Sequence, residues 1–121
     1  MKRKKRPAHF PEIPEDIDGE SLLEWERIVK ELDANGSLAR TDRALITVYV
    51  ETWAVHRQAA RRVANEGSVL EYSNGNLGPS PYFKVMKETG VQLRRLLKDM
   101  QLTPSSRRGA EGAVEMEDLE I

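Results

Sequence analysis

Residues 41–67, TDRALITVYVETWAVHRQAARRVANEG, decide the fold. Leu45, Val48, Tyr49, Thr52, His56, Ala59 and Val63 recur every three or four positions, the period of one helix face. Trp53 and Val55 widen that face, and so broad an apolar arc calls for more than one neighbouring element. Thr41 suits the N-cap position, Asp42 favours the positive end of the helix, and the helix is predicted to run to about Glu66 and stop at Gly67.

On the N-terminal side, a first helix is predicted over Gly19–Ala34. Leu22, Trp25, Ile28, Val29 and Leu32 form its apolar stripe, and Asn35-Gly36 ends it. Asp18 is a plausible cap, with a Ser21-x-x-Glu24 capping box as the alternative. On the C-terminal side, Ser68–Tyr72 is β-prone and Asn74-Gly75 signals a turn, so either a small β-hairpin or an ordered loop follows. Ser80 then caps a third helix with Pro81 at its first position. Phe83, Met86, Gly90, Leu93, Leu97 and Met100 share one face of it, with Leu96 beside them. Gly90 on that face points to close approach by another helix or to a local break. The third helix ends before Pro104, which has no N–H to continue it.

The fold class is therefore mainly α: a three-helix subunit with a small β-hairpin or ordered loop between helices two and three, and flexible tails. Three stretches divide the chain. Residues 1–17 are a basic, proline-containing flexible arm, residues 18–108 a helical core and oligomerisation domain, and residues 109–121 an acidic flexible tail. The 121 residues suit one domain. A formal charge of −1 hides a strong asymmetry: Lys2, Arg3, Lys4, Lys5 and Arg6 give the arm +5, and Glu111, Glu115, Glu117, Asp118 and Glu120 give the tail −5.

Several chemistries are missing. With no cysteine there is no disulfide, thiolate metal site or cysteine nucleophile. No apolar run reaches bilayer length, and the basic N-terminus lacks the apolar stretch of a secretory signal. His9 and His56 are far apart; His56 on an apolar stripe reads as a core or interface histidine rather than a ligand. There is no phosphate-binding Gly-rich loop. The acidic side chains sit at helix-surface spacing from basic ones, as with Glu26 and Lys30, and do not suggest paired catalytic carboxylates. No catalytic residue, metal site or cofactor is expected.

Basic groups gather at element ends. Arg40 and Arg43 flank the start of helix two, Arg57, Arg61 and Arg62 lie toward its end, and Arg94, Arg95 and Lys98 lie near the end of helix three. Arg107 and Arg108 follow two hydroxyls just beyond. Guanidinium groups hold phosphates in bidentate fashion without reading bases, so Lys2–Arg6, Arg40, Arg43, Arg57, Arg107 and Arg108 are the DNA-binding candidates. Favourable charge at helix C-termini and ordinary ion pairs are the competing explanation, preferred for Arg61 and Lys98. Trp53, Tyr72, Leu77 and Phe83 are the oligomer-interface candidates. In the tail, Val114, Met116, Leu119 and Ile121 alternate with acids, as in a short segment that folds onto a partner's basic, apolar groove or, alternatively, as in a solubilising tail.

The order of these pieces resembles the small terminase subunit of tailed bacteriophages. The matching elements are the proline-punctuated arm (Pro7, Pro11, Pro14), Trp25 in the first helix, and Leu38 to Asp42 entering the second, with Tyr49, Trp53 and Ala59 along it. Gly67, Asn74-Gly75-Asn76, Pro81 and Leu102-Thr103-Pro104-Ser105-Ser106-Arg107 follow. The last stretch is the most specific, and the resemblance covers roughly Pro11 to Arg108. Ser80 stands where that family usually has Asn. Gln101 stands where it usually has Gly, which implies a slightly longer third helix.

The resemblance implies a non-enzymatic component of a viral DNA-packaging motor in the bacterial host cytoplasm. It implies a ring of identical subunits that binds double-stranded viral DNA and recruits and regulates the large terminase subunit, which carries the ATPase and nuclease. Val114, Met116, Leu119 and Ile121 are then the candidates for contacting that subunit. Two other readings remain: a dimeric DNA-binding transcriptional regulator, and a protein-interaction adaptor with no DNA role.

Overall fold

A computed structural model describes residues 7–106. Three helices, α1 (Gly19–Ala34), α2 (Arg43–Glu66) and α3 (Pro81–Asp99), are joined by a 3-10 turn at Arg40–Asp42 and by a hairpin of β1 (Val69–Glu71) and β2 (Leu77–Pro79). The hairpin is antiparallel, with Val69 opposite Pro79, Leu70 opposite Gly78 and Glu71 opposite Leu77. α2 is the central element, packing most extensively against α3 and also against α1.

This second contact changes which residues of α2 are buried. The expected stripe holds for Tyr49 and Ala59, but Val48 and Val55 are exposed, while Ile46 and Val50 have no exposed surface. At 100° per residue, Ile46, Val50 and half-buried Trp53 lie on one flank of the stripe and Val48 and Val55 on the other. The buried arc is therefore turned toward one side, and the side carrying Val48 and Val55 has no cover within the described residues. The core joins Trp25, Ile28, Val29 and Leu32 of α1 to Leu38, to Ile46, Tyr49 and Val50 of α2, and to Leu93 and Met100.

Local chemistry sets the element ends. α1 stops at Asn35 with Gly36 left-handed (φ +71°), Gly36 N donating to the Asp33 carbonyl and Ser37 N to that of Leu32. That is the Schellman pattern, which uses glycine because a Cβ strains the left-handed residue. α3 closes the same way through Gln101 (φ +58°): Gln101 N donates to the Lys98 carbonyl and Leu102 N to that of Leu97. The resemblance implied a slightly longer third helix because of Gln101, but the helix ends at Asp99, since Gln101 itself takes the left-handed turn.

Other caps differ from expectation too. Thr41 does not cap α2. The chain enters through the 3-10 turn, and the Asp42 carboxylate accepts from Ala39 N at 2.9 Å. Asp18 occupies the cap position of α1 without a side-chain bond, and the Ser21–Glu24 box does not form, because Glu24 turns inward. Ser80 does cap α3, its Oγ accepting from Tyr82 N at 3.2 Å with Pro81 in the first turn. Gly90 marks a close approach: α3 runs unbroken past it, and the His56 ring lies 3.5 Å from where a Cβ would stand.

Pro104 is both a stop and a start. Residues 104–106 are helical again. Ser106 N donates to Thr103 Oγ1 and Thr103 N to Ser106 Oγ, both at 3.2 Å, a reciprocal cap with proline in the first position. The segment ahead of α1 has neither helix nor strand. From residue 7 on it lies against the bundle: Pro11 is fully buried, Phe10, Ile13 and Ile17 pack on the core, and Arg43 Nε donates to the Glu12 carbonyl at 3.0 Å.

Candidate nucleic-acid and subunit interfaces

The strongest polar arrangement is structural. Glu24, only 4% exposed, accepts two bonds from Arg27 and one from the Tyr49 hydroxyl, at 2.7, 2.7 and 2.6 Å. A buried carboxylate is costly unless so satisfied. Burial and the neighbouring Glu24 carboxylate push the Tyr49 hydroxyl above its ordinary range, and the hydrogen bond to Glu24 raises Arg27 further. Glu24 on a helix otherwise read for its apolar stripe was the available signal, with Arg27 three residues on. His56 is satisfied likewise: Nδ1 lies 3.0 Å from Thr89 Oγ1 and 3.1 Å from the Met86 carbonyl. Thr89 donates its own proton to Val85, so it accepts from the His56 N–H.

The cations divide between the two ends of α2. Arg40 and Arg43 lie at its start, where α3 also ends: Leu32, Ser37, Asp42, Leu45, Asp99, Met100 and Gln101 line one hollow there. Arg94, Arg95 and Lys98, distant in sequence from Arg40, are therefore carried toward the same end of the molecule. Arg57 is about 21 Å farther along the α2 axis than Arg43, at 1.5 Å per residue. Beyond it, Arg61 pairs with Glu20 of α1, which lowers the Glu20 carboxyl and raises Arg61. Arg62 pairs with Glu66 and stands over the Tyr82 ring. Glu26 and Lys30, expected to pair, form no ion pair among the described residues and instead line a hollow with Phe10, Trp25, Val29 and Asp33. Lys2–Arg6, Arg107 and Arg108 lie outside the described residues, as do Val114, Met116, Leu119 and Ile121.

Of the interface candidates, Trp53 is half-buried against the core, and Phe83 is half-buried with Lys87 over its ring. Tyr72 and Leu77 are exposed on the hairpin. Tyr72 crosses Gly78, its ring occupying the space an added Cβ would need, and its hydroxyl donates to the Pro79 carbonyl at 2.8 Å. Val69 and Tyr82 are exposed at the same end. Among the described residues no cluster of three His, Asp or Glu is placed to hold a metal, and no helix is long and apolar enough to cross a membrane.

These features define a small helical protein with exposed cations toward both ends of α2 and exposed apolar side chains on the hairpin and one flank of α2. The family model for the phage terminase small subunit matches residues 22–117, and the chain belongs to that family. Its role is accordingly in phage DNA packaging. No curated protein and no solved structure matches the chain significantly.

Proposed function

We propose that this protein is the non-catalytic recognition subunit of a packaging motor in the host cytoplasm. Copies of residues 18–108 assemble into a ring, the basic groups hold double-stranded viral DNA, and the assembly recruits and regulates the large terminase subunit. Family membership over residues 22–117 carries the packaging role. Assembly is supported by apolar surface left uncovered among the described residues: Leu77 is 73% exposed, Val69 57%, Val48 51% and Val55 46%. Val69 and Leu77 share one face of the hairpin and Val48 and Val55 one flank of α2, and exposed apolar patches of this kind mark protein interfaces.

Phosphate contact is assigned to Lys2–Arg6, Arg40, Arg43, Arg57, Arg107 and Arg108, and large-subunit contact to Val114, Met116, Leu119 and Ile121. α2 packs against both α1 and α3, which leaves it poorly suited to be the exposed recognition helix of a transcriptional regulator. Native mass spectrometry of the purified chain should show a closed multimer; a monomer at micromolar concentration would refute the ring. Duplex binding should weaken steeply with salt, and each lost phosphate contact should lower the slope of log K against log salt by about 0.9. Binding that ignores salt would refute the phosphate assignment.

A further inference from the structure

The outer face of α3 carries a strip that neither the fold nor the proposed assembly has used. Val91, Arg94, Arg95 and Lys98 follow one another at helical spacing and line a shallow hollow of about 300 Å³. Val91 is 39% exposed, and all three cations are exposed. None of them forms an ion pair among the described residues. Glu88 is 3.9 Å from Lys84, and Asp99 lines the separate hollow with Leu32 and Asp42. Lys98 in the last turn complements the helix dipole, but Arg94 and Arg95 lie farther from the terminus, where that effect fades. The strip therefore presents an apolar floor with three cations at its edge, and it asks for an extended or helical segment that alternates apolar and acidic groups.

The chain contains such a segment. Val114, Met116, Leu119 and Ile121 alternate with Glu115, Glu117, Asp118 and Glu120. We propose that residues 113–121 dock in cis on the Val91–Lys98 strip, the carboxylates facing Arg94, Arg95 and Lys98 and the apolar side chains facing Val91. Reach permits it. Residues 107–112 span up to about 20 Å when extended, at roughly 3.3–3.6 Å per residue, while the strip is about 10 Å long and ends a few residues before Thr103. A short tether also holds the tail at millimolar effective concentration, which favours this occupant over a free partner of the same chemistry. The docked tail covers cations that would otherwise meet phosphate, so DNA and the tail compete for one surface.

The chain has no cysteine, so Leu119→Cys gives a single attachment point for a benzophenone photocrosslinker on the full-length protein. At low salt, adducts mapped by mass spectrometry should concentrate on residues 91–98. They should fall at least fivefold in an Arg94→Ala/Arg95→Ala/Lys98→Ala variant whose circular dichroism is unchanged, and likewise at high salt. Adducts scattered over the surface, or strip adducts that survive the triple substitution, would overturn the proposal. Co-expression with an isotope-labelled chain lacking the cysteine separates cis from trans: crosslinks confined to one chain support the assignment, and crosslinks between chains overturn it. The crosslink needs no DNA, so its failure is distinct from failure of the packaging reading. Where duplex binding is measured, neutralising Glu115, Glu117, Asp118 and Glu120 should raise affinity severalfold only while Arg94, Arg95 and Lys98 are intact.

Discussion

At one end of the molecule Trp25, Ile28, Ile46 and Val50 have no exposed surface; at the other, Leu77 and Val69 are mostly exposed. The same short chain builds both ends. Where α1 crosses α2 beside the end of α3, three elements close around the core, and even a carboxylate is accommodated because Tyr49 and Arg27 satisfy it. Toward the hairpin α2 packs mainly on α3, with only the start of α1 reaching it through the Glu20–Arg61 pair, and two helices cannot enclose each other. The buried positions thin out to Ala59, Thr89 and Ser80, and in the hairpin Val69 and Leu77 face outward while Leu70 is half-buried. The first end is therefore where stability resides, and the second is where apolar surface stays exposed among the described residues. Substitutions at the two ends should act on different observables.

The largest effect should come from Trp25→Ala. Removing a fully buried indole costs about 3–5 kcal/mol, a large part of the stability of a domain this size. Urea denaturation followed by circular dichroism should show the loss; a shift under about 1 kcal/mol would mean that the three-helix end is not the stabilising one. Tyr49→Phe should cost less, about 1–3 kcal/mol, because it leaves buried Glu24 short of a donor while the ring remains. It should also alter the alkaline limb. Folding raises the Tyr49 pKa above its ordinary value of 10.0, so its contribution is complete below that pH. The unfolded chain loses the phenolic proton first, and stability falls as pH rises beyond it. The Phe variant should lack that part of the alkaline decline.

The helices and the hairpin were legible because local chemistry and tertiary packing agree there. Gly19–Ala34, Asn74-Gly75 and Ser80-Pro81 behave as their residue types dictate. What sequence concealed was set by neighbours. The flank of α2 that is buried depends on where α1 lies, which no period reveals, so Val48 and Ile46 exchanged roles. The entry to α2 depends on Asp42 turning back to Ala39, which displaced Thr41 as cap. The sites were less legible than the fold. His56 was readable as a core or interface histidine and Gly90 as a close approach or a break, but that the two meet, like the meeting of the cations of α2 and α3, follows only from topology.

The two Schellman turns show the same contrast at one residue each, and they yield the next prediction. Gly36→Ala should destabilise by about 1 kcal/mol through left-handed backbone strain alone, since nothing lies within 4 Å of the new Cβ. Gln101→Gly should stabilise by about 0.5–1 kcal/mol, the relieved strain being partly offset by a freer unfolded chain. Opposite signs in thermal denaturation would show that the two ends share one geometry; equal signs would show that Gln101 is held by its side chain instead.

The smallest effect on folding should come from Leu77→Ser, and it sharpens the comparison most. Leu77 is 73% exposed and pairs with Glu71 through the backbone ladder, which serine preserves. Surface substitutions of this kind change stability by no more than about 0.5 kcal/mol. If the hairpin end exists for association, the same substitution should nevertheless shift native mass spectra toward smaller species, because it removes apolar area from the surface that copies would bury on each other. Trp25→Ala and Leu77→Ser then dissociate two properties: one lowers the unfolding free energy of each subunit, the other lowers assembly in a subunit that folds normally. A Leu77→Ser protein that unfolds as early as the Trp25 variant would place Leu77 in the folding core. One that assembles unchanged would move the interface to the other exposed flank, along Val48 and Val55 of α2.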